Sequence, residues 1–183
     1  LADVSKAFDR VDHTKFLQHL SDIELCPRLL AWLHSYTSER GQRVMTTGTF
    51  SPFSEVTSGV PQGGVFQPYL FLLHMSTRKV VFSDTLDTGY ADDVGLSRAI
   101  PLTSVQEDTS MGLEIQQLEE WATSNNMVLN GKKSVEIQIC FYKDHPQPAP
   151  LILGGQKVPV VTTTKYLGFH LDSNLSGDTW SSQ

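Results

Sequence analysis

Apolar residues recur at spacings of three and four in two stretches near the start of the chain, the pattern of helices that each bury one face. The first stretch begins after Asp12, a residue type that caps helix N-termini well, and Pro27 ends it. The second stretch is predicted to end near Gly41. The apolar positions of the two predicted helices are Phe16, Leu20, Ile23, Leu29, Leu30, Leu33 and Tyr36.

Two further helices are predicted in the middle of the chain. Residues 65–81 are mostly apolar, and Pro68 then has to lie in the first turn, where a helix tolerates proline. The clearest helical signal begins at Ser104, because Ser104 and Glu107 have the spacing of a capping box. Its apolar stripe and its end are marked by Met111, Ile115, Leu118, Trp121, Ala122 and Asn125-Asn126.

Other stretches have the composition of β-strands. Residues 42–57 are rich in Thr, Val, Ser and Phe, which predicts a strand pair with a turn. Residues 87–96 predict a tight hairpin, and residues 127–141 predict a second one whose turn is Asn130-Gly131. Further short strands are predicted around Ile152, Val158 and residues 166–171, with loops at residues 59–64 and 145–150.

These elements predict an α+β fold. Helices and strands alternate without the regular spacing of βαβ units, so we expect a small, mostly antiparallel sheet backed by helices. The length of 183 residues and the hydrophobic share of 39% fit one globular domain over residues 1–172, followed by a loose polar tail over residues 173–183. The chain begins at Leu1, in the middle of a strand pattern, so we expect it to be a segment of a longer protein.

The charge balance is acidic. Fourteen Lys and Arg against twenty Asp and Glu give a formal net charge of -6, the wrong sign for gripping nucleic acid by bulk electrostatics. A polyanionic partner would have to be bound through metal ions or through parts of the protein outside this sequence.

Cysteine spacing and hydropathy exclude several classes of protein. Cys26 and Cys140 lie far apart and outside any CxxC pair, which excludes a zinc knuckle or a disulfide scaffold and favours a reducing intracellular compartment. No apolar run approaches the roughly 20 residues of a membrane span, so no membrane partner is expected.

The sharpest chemical feature is the acidic pair in Tyr90-Ala91-Asp92-Asp93, set in an otherwise apolar stretch. Neighbouring side chains of a straight strand face opposite ways, so both carboxylates can reach one target only at a tight turn. A second acidic strand end is present at Asp3. Carboxylates brought together from two strands repel unless cations lie between them, and Mg²⁺ prefers such oxygen ligands. On the residues alone a solvated acidic turn is favoured over a metal site, because nothing in the sequence shows that the two acidic segments meet.

Five short motifs, in order along the chain, resemble the palm motifs of reverse transcriptases from LINE-type, non-LTR retrotransposons. The motifs are Leu-Ala-Asp-Val-Ser-Lys-Ala-Phe-Asp (1–9), Ser-Gly-Val-Pro-Gln-Gly (58–63), Tyr-Ala-Asp-Asp (90–93), Asn130 with Lys133-Ser134, and Tyr166-Leu167-Gly168. The first two motifs are specific, and Tyr-Ala-Asp-Asp alone would be modest support.

The resemblance implies a palm domain that holds two Mg²⁺ ions, for which Mn²⁺ could substitute, on Asp3, Asp92, Asp93 and the Val4 carbonyl. The implied reaction is attack of a DNA primer 3′-hydroxyl on the α-phosphate of a deoxynucleotide, directed by an RNA template. Lys133 matches the lysine that protonates the leaving pyrophosphate. Without the resemblance, Lys133 would be interpreted as an exposed hairpin lysine.

The resemblance also assigns residues to substrate contacts. Phe8 matches an aromatic gate against the ribose 2′-hydroxyl, although a core aromatic would fit the position equally well. Gln62, Gly63 and Tyr90 match positions along the template and incoming nucleotide. Tyr166, Leu167 and Gly168 match the turn called the primer grip. Without the resemblance, residues 61–64 would be a simple turn and residues 166–168 a strand end.

Some residues depart from the family pattern. Gln67 stands where the family has glycine, and the segment 64–77 differs at several further positions. The fingers, the thumb and any endonuclease domain are expected to lie outside this sequence, and the nucleus follows from the resemblance alone. The rival interpretation is a catalytically dead remnant that binds nucleic acid or a partner weakly. An unrelated metal-dependent phosphotransferase is a third interpretation.

Overall fold

The computed structural model describes residues 1–60, 63–142 and 145–176, and these fall into two units. The unit that we call the sheet unit comprises Leu1–Ser5, Arg78–Ser124 and the described residues from Val128 onward. The helical unit comprises Lys6–Thr77 and Asn125–Met127. Helices and small antiparallel sheets make up both units together, as predicted for an α+β fold.

The elements follow in chain order. The helices are α1 (Ala7–Arg10), α2 (His13–Asp22), α3 (Pro27–Thr37), α4 (Gln67–Met75) and α5 (Ser110–Ser124). The strands are β1 (Ala2–Asp3), β2 (Gly41–Gln42), β3 (Met45–Thr46), β4 (Thr49–Phe50), β5 (Ser54–Glu55), β6 (Leu86–Tyr90), β7 (Asp93–Ser97), β8 (Ile152–Leu153), β9 (Gln156–Lys157), β10 (Thr163–Tyr166) and β11 (Phe169–Asp172).

The sheet unit is built on a three-stranded antiparallel sheet in the order β1-β7-β6. The predicted hairpin over residues 87–96 is confirmed, since β6 and β7 pair from Leu86 opposite Ser97 to Tyr90 opposite Asp93. Its turn consists of Ala91 and Asp92, and Ala91 has a φ of 53°, the positive value that tight hairpin turns require.

The predicted hairpin around Asn130-Gly131 is wrong. Residues on both sides of this dipeptide pair with the start of the chain, where the N–H of Asn130 donates to the Asp3 carbonyl and that of Val135 to the Leu1 carbonyl. Asn130 instead begins a helical turn, because its carbonyl accepts from the N–H of Ser134. An Asn-Gly dipeptide forms a hairpin turn only where its flanking residues pair with each other. Here the flanking residues pair with β1 and the residues next to it instead.

Helix α5 begins at Ser110, five residues later than its capping-box pattern predicts. Residues 102–107 form turns, and the Asp108 carboxylate instead accepts from the N–H of Ser110 at 2.8 Å. The predicted apolar stripe is buried at Leu118 and Ala122, and Trp121 is buried beside it. Glu114 is also fully buried on this helix, which the hydrophobic pattern did not indicate.

The remaining strands of the sheet unit form two hairpins, β8 with β9 and β10 with β11. They agree with the strands predicted near Ile152 and over residues 166–171, while Val158 lies just after β9. Most of the predicted polar tail, residues 177–183, lies outside the described residues.

The helical unit contains the first two predicted helices almost as expected. The Asp12 side chain caps α2 by accepting from the N–H of Lys15 at 3.0 Å. Phe16 and Leu20 are buried, but Ile23 is exposed because α2 ends before it. One strand pair was predicted over residues 42–57, and the structure has two: β2 with β5 and, between them in sequence, β3 with β4.

Helix α4 has proline in its first turn, as predicted, but it ends at Met75 rather than near residue 81. Within the described ranges, no helix combines the length and the apolar content needed to cross a membrane.

Candidate metal and nucleotide site

The sheet brings the two predicted acidic strand ends together. Asp3 in β1 lies directly opposite Asp93 in β7. Directly opposed residues of an antiparallel pair have side chains on the same face, with Cβ atoms about 5 Å apart. Asp92 occupies the adjoining turn and is exposed. The structure therefore places all three predicted carboxylates at one end of the sheet.

The electrostatics of this end reflect the crowding of like charges. Partial burial, followed by the neighbouring carboxylates of Asp92 and Asp3, raises the pKa of Asp93 above its ordinary value. A bound cation would remove this repulsion, because it favours the ionised form of each carboxyl group. The electrostatic environment thus favours a cation at this position.

The Val4 carbonyl faces the same end of the sheet. Successive carbonyls along a strand point to opposite sides, and the Asp3 carbonyl accepts from Asn130 on one side of β1. The Val4 carbonyl therefore points to the other side, where β7 and the Ala91-Asp92 turn lie. This direction is the one that its predicted role as a ligand requires.

The donor atoms fit a hard divalent cation, since carboxylate and carbonyl oxygens are the ligands that Mg²⁺ prefers. Within the part of the chain that the structure describes, no three His, Cys, Asp or Glu side chains are already arranged to ligate one ion. The fit therefore rests on donor chemistry and on the clustering of charge.

A cleft of about 260 Å³ opens beside the carboxylates. Asp3, Asp93, Lys133 and Tyr166 all line this cleft. Residues from four of the five sequence motifs therefore lie around it. Lys165 also lines the cleft, and sequence analysis missed it. The available signal was its position immediately before Tyr166-Leu167-Gly168. The cleft therefore combines two carboxylates with two lysine residues.

The hairpin of β10 and β11 is fixed to the sheet through Tyr166. The Tyr166 hydroxyl donates to the Thr88 carbonyl at 3.3 Å, across to the strand that leads into the acidic turn. A Cβ at Gly95 would lie 3.1 Å from that hydroxyl and 2.5 Å from Thr88 Oγ1. The absence of a side chain at Gly95 is what lets the two hairpins approach.

We expect Gly95→Ala to lower the free energy of unfolding by about 1–3 kcal/mol, because the added methyl group overpacks this contact. Gly112→Ala is the matched control, since nothing lies within 4 Å of a Cβ at Gly112 in α5. There alanine should raise stability by about 0.5–1 kcal/mol through its helix propensity. Urea unfolding of both variants measures the two effects, and equal changes would contradict this explanation of Gly95.

Phe8 and Gly63, two further predicted site residues, belong to the helical unit, whereas Leu167 and Gly168 belong to the sheet unit. The Phe8 ring stacks on Phe71 with centroids 4.1 Å apart, so it has the packing expected of a core aromatic. Gly63 has a φ of 97°, which favours glycine at this position. Gln62 lies outside the described residues. Tyr90, in the sheet unit, is exposed at the end of β6.

Gln67, the main departure from the motif pattern, is a buried polar residue at the start of α4. Its Nε2 donates to the Tyr36 hydroxyl at 2.6 Å, while its Oε1 is buried and has no hydrogen-bond partner among the described residues. A Cβ at Gly64 would lie 2.3 Å from that oxygen, so the amide packs directly against the loop backbone. The side chain thus fills space that a glycine would leave open.

Comparison with known proteins gives several similar polymerases. The probable RNA-directed DNA polymerase from transposon X-element of Drosophila melanogaster is 29% identical over 180 residues, covering 95% of this chain and 19% of the relative. The RNA-directed DNA polymerase from mobile element jockey of the same species is 28% identical, again over 95% of this chain and 19% of the relative. The probable polymerase from transposon BS is 26% identical, over 95% of this chain and 20% of the relative.

The chain therefore spans about a fifth of the length of these relatives. The sequence profile of the family described as "Reverse transcriptase (RNA-dependent DNA polymerase)" matches residues 1–171. This match includes all five motifs and every residue that lines the cleft beside Asp3 and Asp93. The resemblance noted from the motifs is confirmed, and the chain belongs to the reverse transcriptase family.

Proposed function

We propose that this chain forms the palm of an RNA-directed DNA polymerase of a mobile element, which joins a deoxynucleotide to a primer 3′-hydroxyl. One observation carries the proposal: Asp3, Asp93, Lys133 and Tyr166, from four separate motifs, line a single cleft beside Asp92. The similar polymerases of mobile elements support it. RNA template, DNA primer and deoxynucleotide are the proposed substrates.

Asp3, Asp92, Asp93 and the Val4 carbonyl would hold two Mg²⁺ ions, which when bound lower the pKa of an attacking hydroxyl and neutralise charge on phosphate oxygens. The backbone positions of Asp3 on β1, Asp93 on β7 and Asp92 in the turn would set where the cations are held. Lys133 donates a proton to the leaving pyrophosphate, for which its place in the cleft is suitable. Catalysis in this proposal is positioning and charge neutralisation.

The other motif residues are proposed to contact substrates. Tyr166 at the end of β10, with Leu167 and Gly168 in the turn that follows it, would hold the primer backbone near the cleft. Gln62, Gly63 and Tyr90 would lie along the template and the incoming nucleotide. Phe8 would exclude the ribose 2′-hydroxyl, and its stacking on Phe71 gives the ring the fixed position that a steric gate needs.

The test is RNA-templated primer extension by a chimera, the jockey polymerase in which residues 1–171 of this chain replace the matching segment. We expect extension that requires both the RNA template and a divalent cation. Transfer of nucleotide without a template would instead support a metal-dependent phosphotransferase. The parent jockey polymerase and a circular dichroism spectrum of the chimera serve as controls.

A non-catalytic remnant is the second candidate, and Gln67 is the observation that favours it. This side chain fills space against Gly64 in the loop that follows the second motif, at a position where the family pattern has glycine. If a folded chimera does not extend the primer but its Gln67→Gly variant does, the remnant interpretation holds for this chain.

A further inference from the structure

A buried ion pair lies against the hairpin that carries the acidic turn. Arg78, which precedes β6 in the sheet unit, donates to the Asp87 carboxylate through Nε at 3.3 Å and through Nη2 at 3.0 Å. The Arg78 side chain is 9% exposed and that of Asp87 23%. The guanidinium also lies 5.9 Å from the centre of the buried Trp121 ring in α5. Arg78 therefore connects strand β6 to helix α5.

The same guanidinium packs against the backbone of β6 near its end. A Cβ at Gly89 would lie 2.5 Å from Arg78 Nη2, so the absence of a side chain at Gly89 is what admits the guanidinium. Gly89 immediately precedes Tyr90, the residue that pairs with Asp93. Arg78 thus packs against the strand one residue before the pair that closes the hairpin turn.

Arg78 lies on the opposite face of the hairpin from the carboxylate of Asp93. Asp87 and Gly89 share one face of β6, and the Tyr90 side chain points to the other, because side chains alternate along a strand. Asp93 pairs directly with Tyr90, and directly opposed residues share a face. Arg78 can therefore affect this carboxylate only through the backbone of the hairpin.

The ion pair is poorly suited to stabilising the fold. Removing two charges from water is costly, and replacing a buried ion pair by apolar side chains of similar volume is often neutral or stabilising. Arg78 Nη1 adds to this cost, because it is buried and has no hydrogen-bond partner among the described residues. What the pair does provide is fixed geometry, since two hydrogen bonds to one carboxylate hold both side chains in place.

We propose that Arg78 is a positioning residue for the acidic turn: it fixes β6 through Asp87 and Gly89 and so keeps the carboxylates of the turn in place for divalent cations. This inference rests on the proposed function, because it adds a residue that supports the proposed ligands without touching them. Partners that orient metal ligands typically account for roughly 10- to 100-fold in metal affinity or activity.

The test is Mn²⁺ titration of the full chain and of a double variant, Arg78→Met with Asp87→Leu, in which apolar side chains of similar volume replace the ion pair. We expect this variant to unfold at an equal or higher urea concentration and yet to bind Mn²⁺ about 10-fold more weakly. In the chimera with the jockey polymerase, kcat for primer extension should fall about 10-fold or more, while KM for the deoxynucleotide changes less than about 2-fold. A pair with a merely structural role would not lower kcat at unchanged stability.

Arg98→Met with Asp84→Leu is the matched control. Arg98 and Asp84 also form an ion pair in the sheet unit, but at the open end of the same hairpin, because Asp84 precedes β6 and Arg98 follows β7. Each double variant removes one positive and one negative charge, so the net charge that attracts Mn²⁺ stays the same. We expect the control to bind Mn²⁺ and to extend the primer as the parent does.

Equal Mn²⁺ affinity of the parent chain and the Arg78 double variant would overturn the proposal and leave the metal site standing. An equal loss of affinity in the Arg98 control would also overturn it, because the effect would then not be specific to the end of the hairpin near the turn. A parent chain that binds no Mn²⁺ would contradict the proposed metal site itself, and this proposal with it.

Gly89→Ala provides a second test should the Arg78 double variant fail to fold by circular dichroism. The added Cβ displaces the guanidinium while both charges of the ion pair remain. We expect the same loss of Mn²⁺ affinity, and unchanged affinity of this variant would overturn the proposal.

Discussion

Replacing Asp93 by asparagine is expected to reduce primer extension by the chimera about 1,000-fold or more. Asp93 is the carboxylate that lies opposite Asp3, and partial loss of solvent together with its acidic neighbours raises its pKa, although the residue is exposed. The amide is nearly isosteric but removes the charge, and a metal ion stabilises transition-state charge by several kcal/mol. Each factor of ten in rate corresponds to about 1.4 kcal/mol, so loss of one ligand is expected to have a large effect.

Asp22→Asn is the control for this substitution. Asp22 lies at the exposed end of α2, where its carboxylate accepts from Gln18 Nε2 at 2.8 Å. We expect extension by this variant to equal that of the unsubstituted chimera. Extension rates are measured under single-turnover conditions with saturating Mg²⁺. Unchanged activity of Asp93→Asn would show that the acidic turn is a solvated turn and not a ligand set.

The second large effect is expected from Glu114, whose role is structural. This buried carboxylate accepts from the N–H groups of Val81 and Phe82, both at 2.9 Å, and from Thr85 Oγ1 at 2.6 Å. These three donors lie in the segment that leads into β6 and therefore into the acidic turn. Glu114→Ala leaves buried donors without an acceptor, and we expect it to lower the free energy of unfolding by about 3–5 kcal/mol.

The stabilisation from Glu114 should depend on pH. Burial alone would raise the pKa of Glu114, but the hydrogen bonds from Thr85, Val81 and Phe82 outweigh it and lower this pKa below the ordinary value. The contribution is therefore full above the unfolded pKa of about 4.3, and it is lost as the pH falls through the lower folded-state pKa. The difference in stability between the parent chain and Glu114→Ala should shrink between pH 5 and about pH 3.

Urea unfolding at several pH values measures this difference. Glu120→Ala is the matched control, because Glu120 lies on the same helix but is exposed, and its carboxylate accepts from Gln116 Nε2 at 3.0 Å. We expect that control to change stability by less than about 0.5 kcal/mol. A loss of similar size in both variants would mean that the buried hydrogen bonds of Glu114 contribute little.

Local sequence signals predicted the elements that depend on neighbouring residues. Asp12 caps α2, and the acidic pair lies at a hairpin turn, because both features are set within a few residues along the chain. The Asn130-Gly131 prediction failed for the opposite reason. The partner of that segment is β1, about 130 residues earlier in the sequence, and no local pattern reports such long-range pairing.

Helix α5 also differs from its local sequence pattern, both at its start and in the side chains that it buries. The capping-box pattern at Ser104 and Glu107 predicted the helix start there. The helix instead starts at Ser110, whose N–H donates to the Asp108 carboxylate. Glu114 was missed because a hydrophobic pattern assigns a glutamate to the solvent face, and its three donors come from a segment about 30 residues earlier. Buried charge depends on tertiary partners that the sequence does not reveal.

The candidate site could be predicted in large part because its residues occur in motifs. Asp3, Asp93, Lys133 and Tyr166 line one cleft, while the roles that the resemblance assigns to them stay predictions. Lys165 was missed, since one lysine among the chain's fourteen basic residues has no distinguishing pattern. The packing of Gln67 against Gly64 could not be predicted from the sequence either, although the sequence did identify Gln67 as a departure from the family pattern.

The most direct test of the central claim, that Asp3, Asp92 and Asp93 together bind a divalent cation, is Mn²⁺ titration of the chain followed by electron paramagnetic resonance. Mn²⁺ has ligand preferences similar to those of Mg²⁺ and gives a signal that falls on binding. We expect saturable binding that each of Asp3→Asn, Asp92→Asn and Asp93→Asn weakens and that Asp22→Asn leaves unchanged. Equal Mn²⁺ binding by all four folded variants and the parent chain would contradict the claim.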